Sequence, residues 1–171
     1  MSWIIYALIT PIFYSISVYI DKFIIDKKIK DPVVLTIVTG LFVSLLGFAG
    51  LILLGFPHIQ PVELFFILLA GIFLQLYLVP YFKALKLDDT SRVVPLFQFV
   101  PIITLVVAFA FLNESISFKQ LLGCLLIVGG GFWLSVNKKA LNIFKPRPAF
   151  WYMLTSSALY ALVGIFFRFV V

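Results

Sequence analysis

Thr10, Tyr14, Ser17 and Asp21 recur at spacings of four, three and four. That spacing sets them on one face of a helix. A second polar set, Ser91, Pro95, Gln98, Pro101 and Thr104, follows in the middle of the chain. Each proline lacks an N–H, so Pro95 frees the carbonyl of Ser91 and Pro101 that of Phe97. Gln98 offers both donor and acceptor. A third set is Gln75, Tyr77 and Tyr81, with Pro80 beside them. These side chains supply hydrogen-bond donors and acceptors. The chemistry they suit is reversible recognition of a small polar or zwitterionic solute. The competing role is helix packing, where an interhelical hydrogen bond in lipid contributes about 0.6 kcal/mol. Covalent catalysis has little support. His58 has no neighbouring ligand set, Cys124 is the only cysteine, and the apolar runs contain no carboxylate pair. No metal and no cofactor is expected.

These residues sit in six long runs without Asp, Glu, Lys or Arg: Trp3–Ile20, Val33–Phe56, Leu64–Phe82, Val93–Asn113, Gln120–Asn137 and Ala149–Phe167. Each holds at least 18 residues. A helix rising ~1.5 Å per residue needs about 20 to cross ~30 Å of hydrocarbon. Of the 171 residues, 63% are hydrophobic and 12% charged, against about 25% charged in a soluble domain. An all-α, polytopic transmembrane bundle follows. A barrel would need alternating strands of ~10 residues, and Leu121–Val128 shows no alternation. A polar stripe within such a run should face the bundle interior or a cavity, because an unpaired polar group in lipid is costly.

The net charge of +6 marks loops, not a nucleic-acid groove. Of 13 Lys and Arg residues, 11 fall in alternate gaps: Lys22, Lys27, Lys28 and Lys30; Lys83, Lys86 and Arg92; Lys138, Lys139, Lys145 and Arg147. By the positive-inside rule these gaps share the cytoplasmic side, which puts the amino terminus outside. The first run lacks a basic lead and a small-residue cleavage pattern, so it reads as a retained span. Membrane lipid and a small-molecule solute are the expected partners, with no nucleic acid.

Turn chemistry punctuates the runs. Asp31-Pro32 opens the second helix, Pro57 and Pro61 bracket the next turn, Thr90 or Ser91 caps the fourth helix, and Ser117 caps the fifth. Tyr81, near the inner end of its run, reads as an interfacial anchor. Lys22 and Asp26 are spaced to pair. Gly40 and Gly47, with Gly123 and Gly130, have the seven-residue spacing of packing seams, and Gly50 lies near the first pair. The prolines of Lys145-Pro146-Arg147-Pro148 look like a linker between units. Beyond it the sixth run echoes the first. Tyr14 precedes Lys22-Phe23 by eight residues, and Tyr160 precedes Arg168-Phe169 by eight. The expected units are a five-helix repeat over 1–137, a cytoplasmic linker over 138–148, and the first helix of a second repeat over 149–171. A five-helix unit inverts its orientation when repeated.

Four stretches resemble the EamA-like family of the drug/metabolite transporter superfamily. They are Tyr14-Ser15 with Lys22; Tyr81-Phe82-Lys83-Ala84-Leu85-Lys86; Thr90-Ser91-Arg92-Val93-Val94-Pro95-Leu96 running on to Pro101-Ile102; and Leu112-Asn113-Glu114-Ser115-Ile116-Ser117, followed by Gln120, Gly123 and Gly130. The chain departs from the family pattern at Tyr14-Ser15, where Trp-Gly is common, and at Asn113, where Gly is usual. The resemblance implies ten helices in two inverted repeats around a central solute cavity. The second repeat would be the missing half of a longer chain or would come from a partner protomer. On that basis the expected substrate-binding residues are Tyr14, Ser17, Gln75, Gln98 and Thr104, with Pro95 and Pro101 as helix-breaking, gating positions. The expected function is permeation of a small metabolite, such as an amino acid or a related solute, by alternating access. A lipid-carrier flippase using Lys22, Lys83 and Arg92, and a non-transporting structural membrane protein, are the alternatives.

Overall fold

The computed structural model describes residues 2–55, 59–112, 117–135 and 147–170, and among these it is helical with no strand. The elements are α1 (Ser2–Lys27), α2 (Pro32–Leu54), α3 (Pro61–Leu76), α4 (Leu78–Leu87), α5 (Thr90–Val93), a 3-10 segment (Val94–Gln98), α6 (Phe99–Leu112), α7 (Phe118–Ser135) and α8 (Pro148–Arg168). Among the described residues four stretches are long and apolar enough to cross a membrane: Pro32–Leu54, Pro61–Leu87, Thr90–Val107 and Pro148–Arg168. The 26 residues of α1 exceed the length a span requires. Phe118–Gly130 is apolar but shorter.

The helix starts follow local chemistry. Asp31 Oδ1 accepts from the N–H groups of Val33 (2.8 Å) and Val34 (3.4 Å), with Pro32 in the first turn where no donor is needed. At α3 the Glu63 carboxylate accepts from the Gln60 N–H at 3.1 Å, and Pro61 begins the helix. Ser117 Oγ accepts from the Gln120 N–H at 3.3 Å, and the Gln120 side chain accepts in return from the Ser117 N–H at 2.8 Å. Ser117 therefore caps as its position predicts. Thr90 and Ser91 do not. Asp89 holds the cap position with extended backbone, and its side chain makes no capping bond. The Asp89 carboxylate lies 3.9 Å from the Arg92 guanidinium. The Pro57 and His58 turn, the Asn113-Glu114-Ser115 turn and linker residues 136–146 lie outside the described residues.

Proline breaks two of the spans. Pro80 cannot donate to Leu76, and the ladder of Pro61–Leu87 steps at Tyr77 into a second helix. Pro95 likewise turns one stretch into 3-10 helix between α5 and α6. α8 packs along α3, α4 and α6, so it meets both breaks. Two adjacent serines of α8 serve them. Fully buried Ser156 donates to the Tyr77 carbonyl at 3.1 Å, and fully buried Ser157 donates to the Leu96 carbonyl at 3.5 Å. Both carbonyls also accept a backbone N–H, Tyr77 from Tyr81 at 3.2 Å and Leu96 from Phe99, so the serines add a second bond that ties α8 to each break. Ser156→Ala is expected to lower stability by about 1 kcal/mol, and Ser157→Ala, whose bond is longer, by less. Thermal melting of the purified variants in detergent reads both, and equal losses would mean that burial alone sets the effect, since both serines are fully buried.

The packed core lies toward one end of the bundle. Ile25 of α1, Phe82 and Leu85 of α4, Val93 of α5 and Met153 of α8 are all nearly inaccessible there. The same end gathers the basic gaps. Lys22 Nζ donates to the carbonyls of Leu85 (2.5 Å) and Asp88 (3.2 Å). Lys86 Nζ donates to the Lys30 carbonyl at 2.7 Å. Arg147 donates to both carboxylate oxygens of Asp88, at 3.1 and 2.9 Å. Three gaps far apart in sequence thus meet at one end, as the alternating charge pattern predicts. The Lys22–Asp26 pair forms at 3.3 Å. By contrast, much of α2 is exposed, including Leu45, Leu46, Leu53 and Leu54, the surface a lipid-embedded helix presents.

The expected glycine seams hold at one position only. A Cβ on Gly40 would lie 2.7 Å from Cδ of Gln75, so α2 and α3 approach closely there. A Cβ on Gly47, Gly50, Gly123 or Gly130 would meet nothing within 4 Å. Regular glycine spacing marks faces on which a neighbour is possible, and these four face none among the described residues.

Candidate functional site

The aromatic side chains of α3, α4, α8 and the 3-10 segment converge at the two breaks. The Tyr77 ring lies 4.9 Å from Tyr160, 5.9 Å from Phe97 and 6.4 Å from Tyr81, centroid to centroid. Phe97 closes the group at 5.2 Å from Tyr160 and 6.3 Å from Tyr81. The contacts are edge-on or tilted, the orientations that match ring edges to ring faces. Tyr81 Oη donates to Asp21 Oδ2 at 3.4 Å and so ties α4 to α1. Tyr14, one face along α1 from Asp21, is close enough to Asp21, Tyr77, Tyr81 and Tyr160 to interact with them electrostatically.

The breaks explain why this cluster can exist. A straight helix through Tyr77 would direct consecutive turns along one line. The step at Tyr77 and the 3-10 run at Phe97 re-aim both rings toward α8, and the buried serines hold the steps in place. Tyr14, Tyr77 and Tyr160 each fall in the middle third of their stretches, Ser2–Lys27, Pro61–Leu87 and Pro148–Arg168. The cluster is therefore at mid-depth, while Asp21 and Tyr81 extend it toward the basic end. Tyr14 is 43% exposed and forms its open side. Four phenols, one carboxylate and several ring faces together offer donors, an acceptor and stacking surfaces.

Of the residues picked from sequence, Tyr14 joins this cluster. Ser17, one turn further along the same stripe, is exposed. Gln98 follows Phe97 in the 3-10 segment and is exposed, and Thr104 is half-buried in α6. Pro95 sits inside the 3-10 segment, and Pro101 in the first turn of α6. Gln75 is engaged elsewhere. Its side-chain amide donates to the Thr36 carbonyl, which makes it a link between α3 and α2. Tyr81 corrects the anchor expectation: at 4% exposure, bonded to Asp21, it belongs to the interior. Phe97, Ser156 and Ser157 had no periodic signal in so apolar a chain. Tyr160 had one, its echo of Tyr14.

Helices long enough to span and an interior of broken helices define a multi-pass helical membrane protein. Comparison with known proteins gives the family. The model of the EamA-like transporter family matches residues 1–136, and the chain belongs to that family. It is thereby a membrane transporter of the drug/metabolite transporter superfamily. Among curated proteins it is similar to "Uncharacterized protein MJ1333.1" of Methanocaldococcus jannaschii, 25% identical over 137 residues, covering 78% of this chain and 96% of the relative. No solved structure matches the chain.

Proposed function

We propose that the chain is a permease subunit or segment that moves a small metabolite of the amino-acid class by alternating access between inverted five-helix repeats. The observation that carries this reading is the mid-depth aromatic cluster at the two helix breaks, in which Tyr160 of α8 packs on Tyr77 and Phe97. Tyr160 echoes Tyr14 in the repeat read from sequence, and its place against the broken spans is where a site between inverted repeats would lie. Residues 1–137 form the first repeat, 138–148 the cytoplasmic connection and 149–171 the opening helix of the second. The remaining wall comes from the rest of a longer chain or from a partner protomer. The membrane is the cell membrane, with the amino terminus outside.

In this reading Tyr14 and Ser17 line the open side of the path with Gln98 and Thr104, and Gln75 contributes by holding α2 against α3. Pro95 and Pro101 let the fourth span bend between inward- and outward-facing states. The Asp21 carboxylate beside Tyr81 suits the ammonium group of an amino acid. The flippase alternative loses support at its phosphate site. Lys22 is committed to two carbonyls and Asp26, and Arg92 to Asp88, so two of the three cations it needs are engaged.

Thermal-shift screening of the full-length protein against amino acids, sugars and nucleosides tests the reading. A ligand of the folded state raises the melting temperature by mass action. An amino-acid-class ligand should shift wild type. The shift should shrink in Tyr14→Phe, which removes one hydroxyl and keeps the ring, and in Gln98→Ala. A shift from sugars or nucleosides alone would overturn the substrate class. Equal shifts in all three proteins would remove Tyr14 and Gln98 from the site.

A further inference from the structure

A second concave surface lies away from the aromatic cluster, on the outside of the bundle between the α3–α4 stretch and α8. It is an open groove of about 370 Å³ lined by Leu76, Val79, Pro80, Lys83, Tyr152 and Leu159, with Thr155 on its wall. The lining residues pair in antiparallel order. Leu76 to Lys83 and Leu159 to Tyr152 each span seven residues, about 10 Å of helix. The groove is thus a short channel along the helix axes with one apolar end and one cationic end. Lys83 Nζ stands 5.8 Å from the centroid of the Tyr152 ring, within cation–π range, which fixes the ammonium over the groove mouth.

The charge is left for something outside the chain. Of the three basic residues in the third gap, Lys86 bonds the Lys30 carbonyl and Arg92 pairs with Asp88. Among the described residues, Lys83 has no carboxylate within ion-pair distance and bonds no carbonyl. It sits at the end of the bundle where the three basic gaps meet, the level of lipid headgroups. Trp151, 58% exposed beside Tyr152, marks the same level, since tryptophan favours the headgroup boundary.

We propose that this groove is a binding site for an anionic glycerophospholipid, held as a resident lipid and not as cargo. The phosphodiester pairs with Lys83 over the Tyr152 ring, and one acyl chain lies along Val79, Pro80, Leu76 and Leu159. An apolar protein face would match the groove walls but would leave the ammonium unpaired. A free phosphate would leave the apolar floor uncovered. A lipid with a negative headgroup satisfies both ends, as basic pockets between membrane helices do for acidic lipids.

Native mass spectrometry of the full-length protein, released from detergent with defined lipid, tests this. Phosphatidylglycerol and phosphatidylcholine with identical chains are titrated in parallel, with inorganic phosphate as a third probe. Wild type should retain phosphatidylglycerol over phosphatidylcholine. Lys83→Gln should weaken phosphatidylglycerol about fivefold, the effect of one lysine near the surface, and Lys83→Arg should restore it. Leu159→Trp, which fills the apolar end, should weaken both lipids. Lys27→Gln, at the same end but outside the groove, should leave the preference intact. Unchanged binding in Lys83→Gln, or an equal loss in Lys27→Gln, would mean diffuse charge attraction and overturn the site. Inorganic phosphate displacing phosphatidylglycerol would overturn the lipid assignment. Leu159→Trp binding as wild type would place the acyl chain elsewhere and overturn the groove. Melting temperatures matched to wild type identify the variants whose loss is local.

Discussion

Asp88→Asn is expected to destabilise the protein by about 2 kcal/mol, below the 3–5 kcal/mol of a fully buried pair because this pair lies at a polar end. The Asp88 side chain gathers three partners at the basic end. Arg147 donates to both its oxygens, Arg92 stands at 3.4 Å, and the Asp89 N–H donates to Oδ1 at 2.8 Å. Only 12% of the Asp88 side chain and 18% of the Arg147 side chain are accessible. The pair joins the turn between α4 and α5 to the start of α8, the junction on which the packing of α8 depends. Removing the carboxylate charge would leave the Arg147 guanidinium in a confined place, with its Nε already lacking a partner among the described residues. Asp88→Asn combined with Arg147→Met should recover part of the loss, because the stranded charge goes too.

The same pair predicts a pH dependence. Burial by itself would raise the Asp88 carboxyl. The hydrogen bonds from Arg147, the Asp89 amide and the charges of Arg147 and Arg92 outweigh burial and hold it below the usual carboxylate range. A carboxylate depressed in the folded state stabilises the fold above its unfolded value, near 4. That contribution is lost as pH falls through the lower, folded value, because the unfolded chain then binds the proton more readily. Melting in detergent from pH 7 to pH 3 should show an acid loss that is shallower in Asp88→Asn. Parallel curves would show that Asp88 carries none of it.

The second large effect belongs to Gly40. Gly40→Val should cost about 2 kcal/mol through overpacking. The new side chain would drive into Gln75, whose amide is held by the Thr36 carbonyl. Gln75 can swing aside only by giving up that bond, so the two residues are coupled. Gln75→Ala should therefore lessen the cost of Gly40→Val, an interaction that a double-mutant cycle measures directly. Gly47→Val is the control. It lies two turns along the same helix with nothing within 4 Å of its would-be Cβ, and it should be close to neutral. Equal losses at both positions would assign the effect to helix propensity and not to the α2–α3 contact.

What could be read before the structure follows from where the chain varies in polarity. Charge is sparse, so each Lys and Arg is informative, and the shared end of the three basic gaps was legible from them. Asp31 and Ser117 were legible because capping depends on a residue and its next three neighbours. Thr90 and Ser91 lie inside the helix because it begins one residue earlier than their capping chemistry suggests, with Asp89 in the cap position. The interior was harder. In a soluble helix, polarity separates the buried face from the exposed one. Here lipid and core are equally apolar, so Phe97 and Phe109 look alike in sequence, while only Phe97 reaches the cluster. Tyr81 was placed at the interface for the same reason: its distance along the helix is visible, but the break at Tyr77 that turns it inward is a tertiary fact. Ser156 and Ser157 are the clearest omission. Two adjacent hydroxyls in an apolar run mark a face that can bond a neighbouring helix, but their acceptors, the Tyr77 and Leu96 carbonyls, are not those that Pro80, Pro95 and Pro101 free, so no proline pointed to them.

In the proposed function the solute path runs through the tyrosine cluster. Solute exchange in proteoliposomes, with the full-length protein and the amino-acid-class ligand found by thermal shift, tests it most directly. Exchange should occur with wild type and fall at least tenfold in Tyr14→Phe, while the melting temperature without ligand stays at the wild-type value. Wild-type exchange by a folded Tyr14→Phe, together with undiminished exchange by Gln98→Ala, would contradict the path.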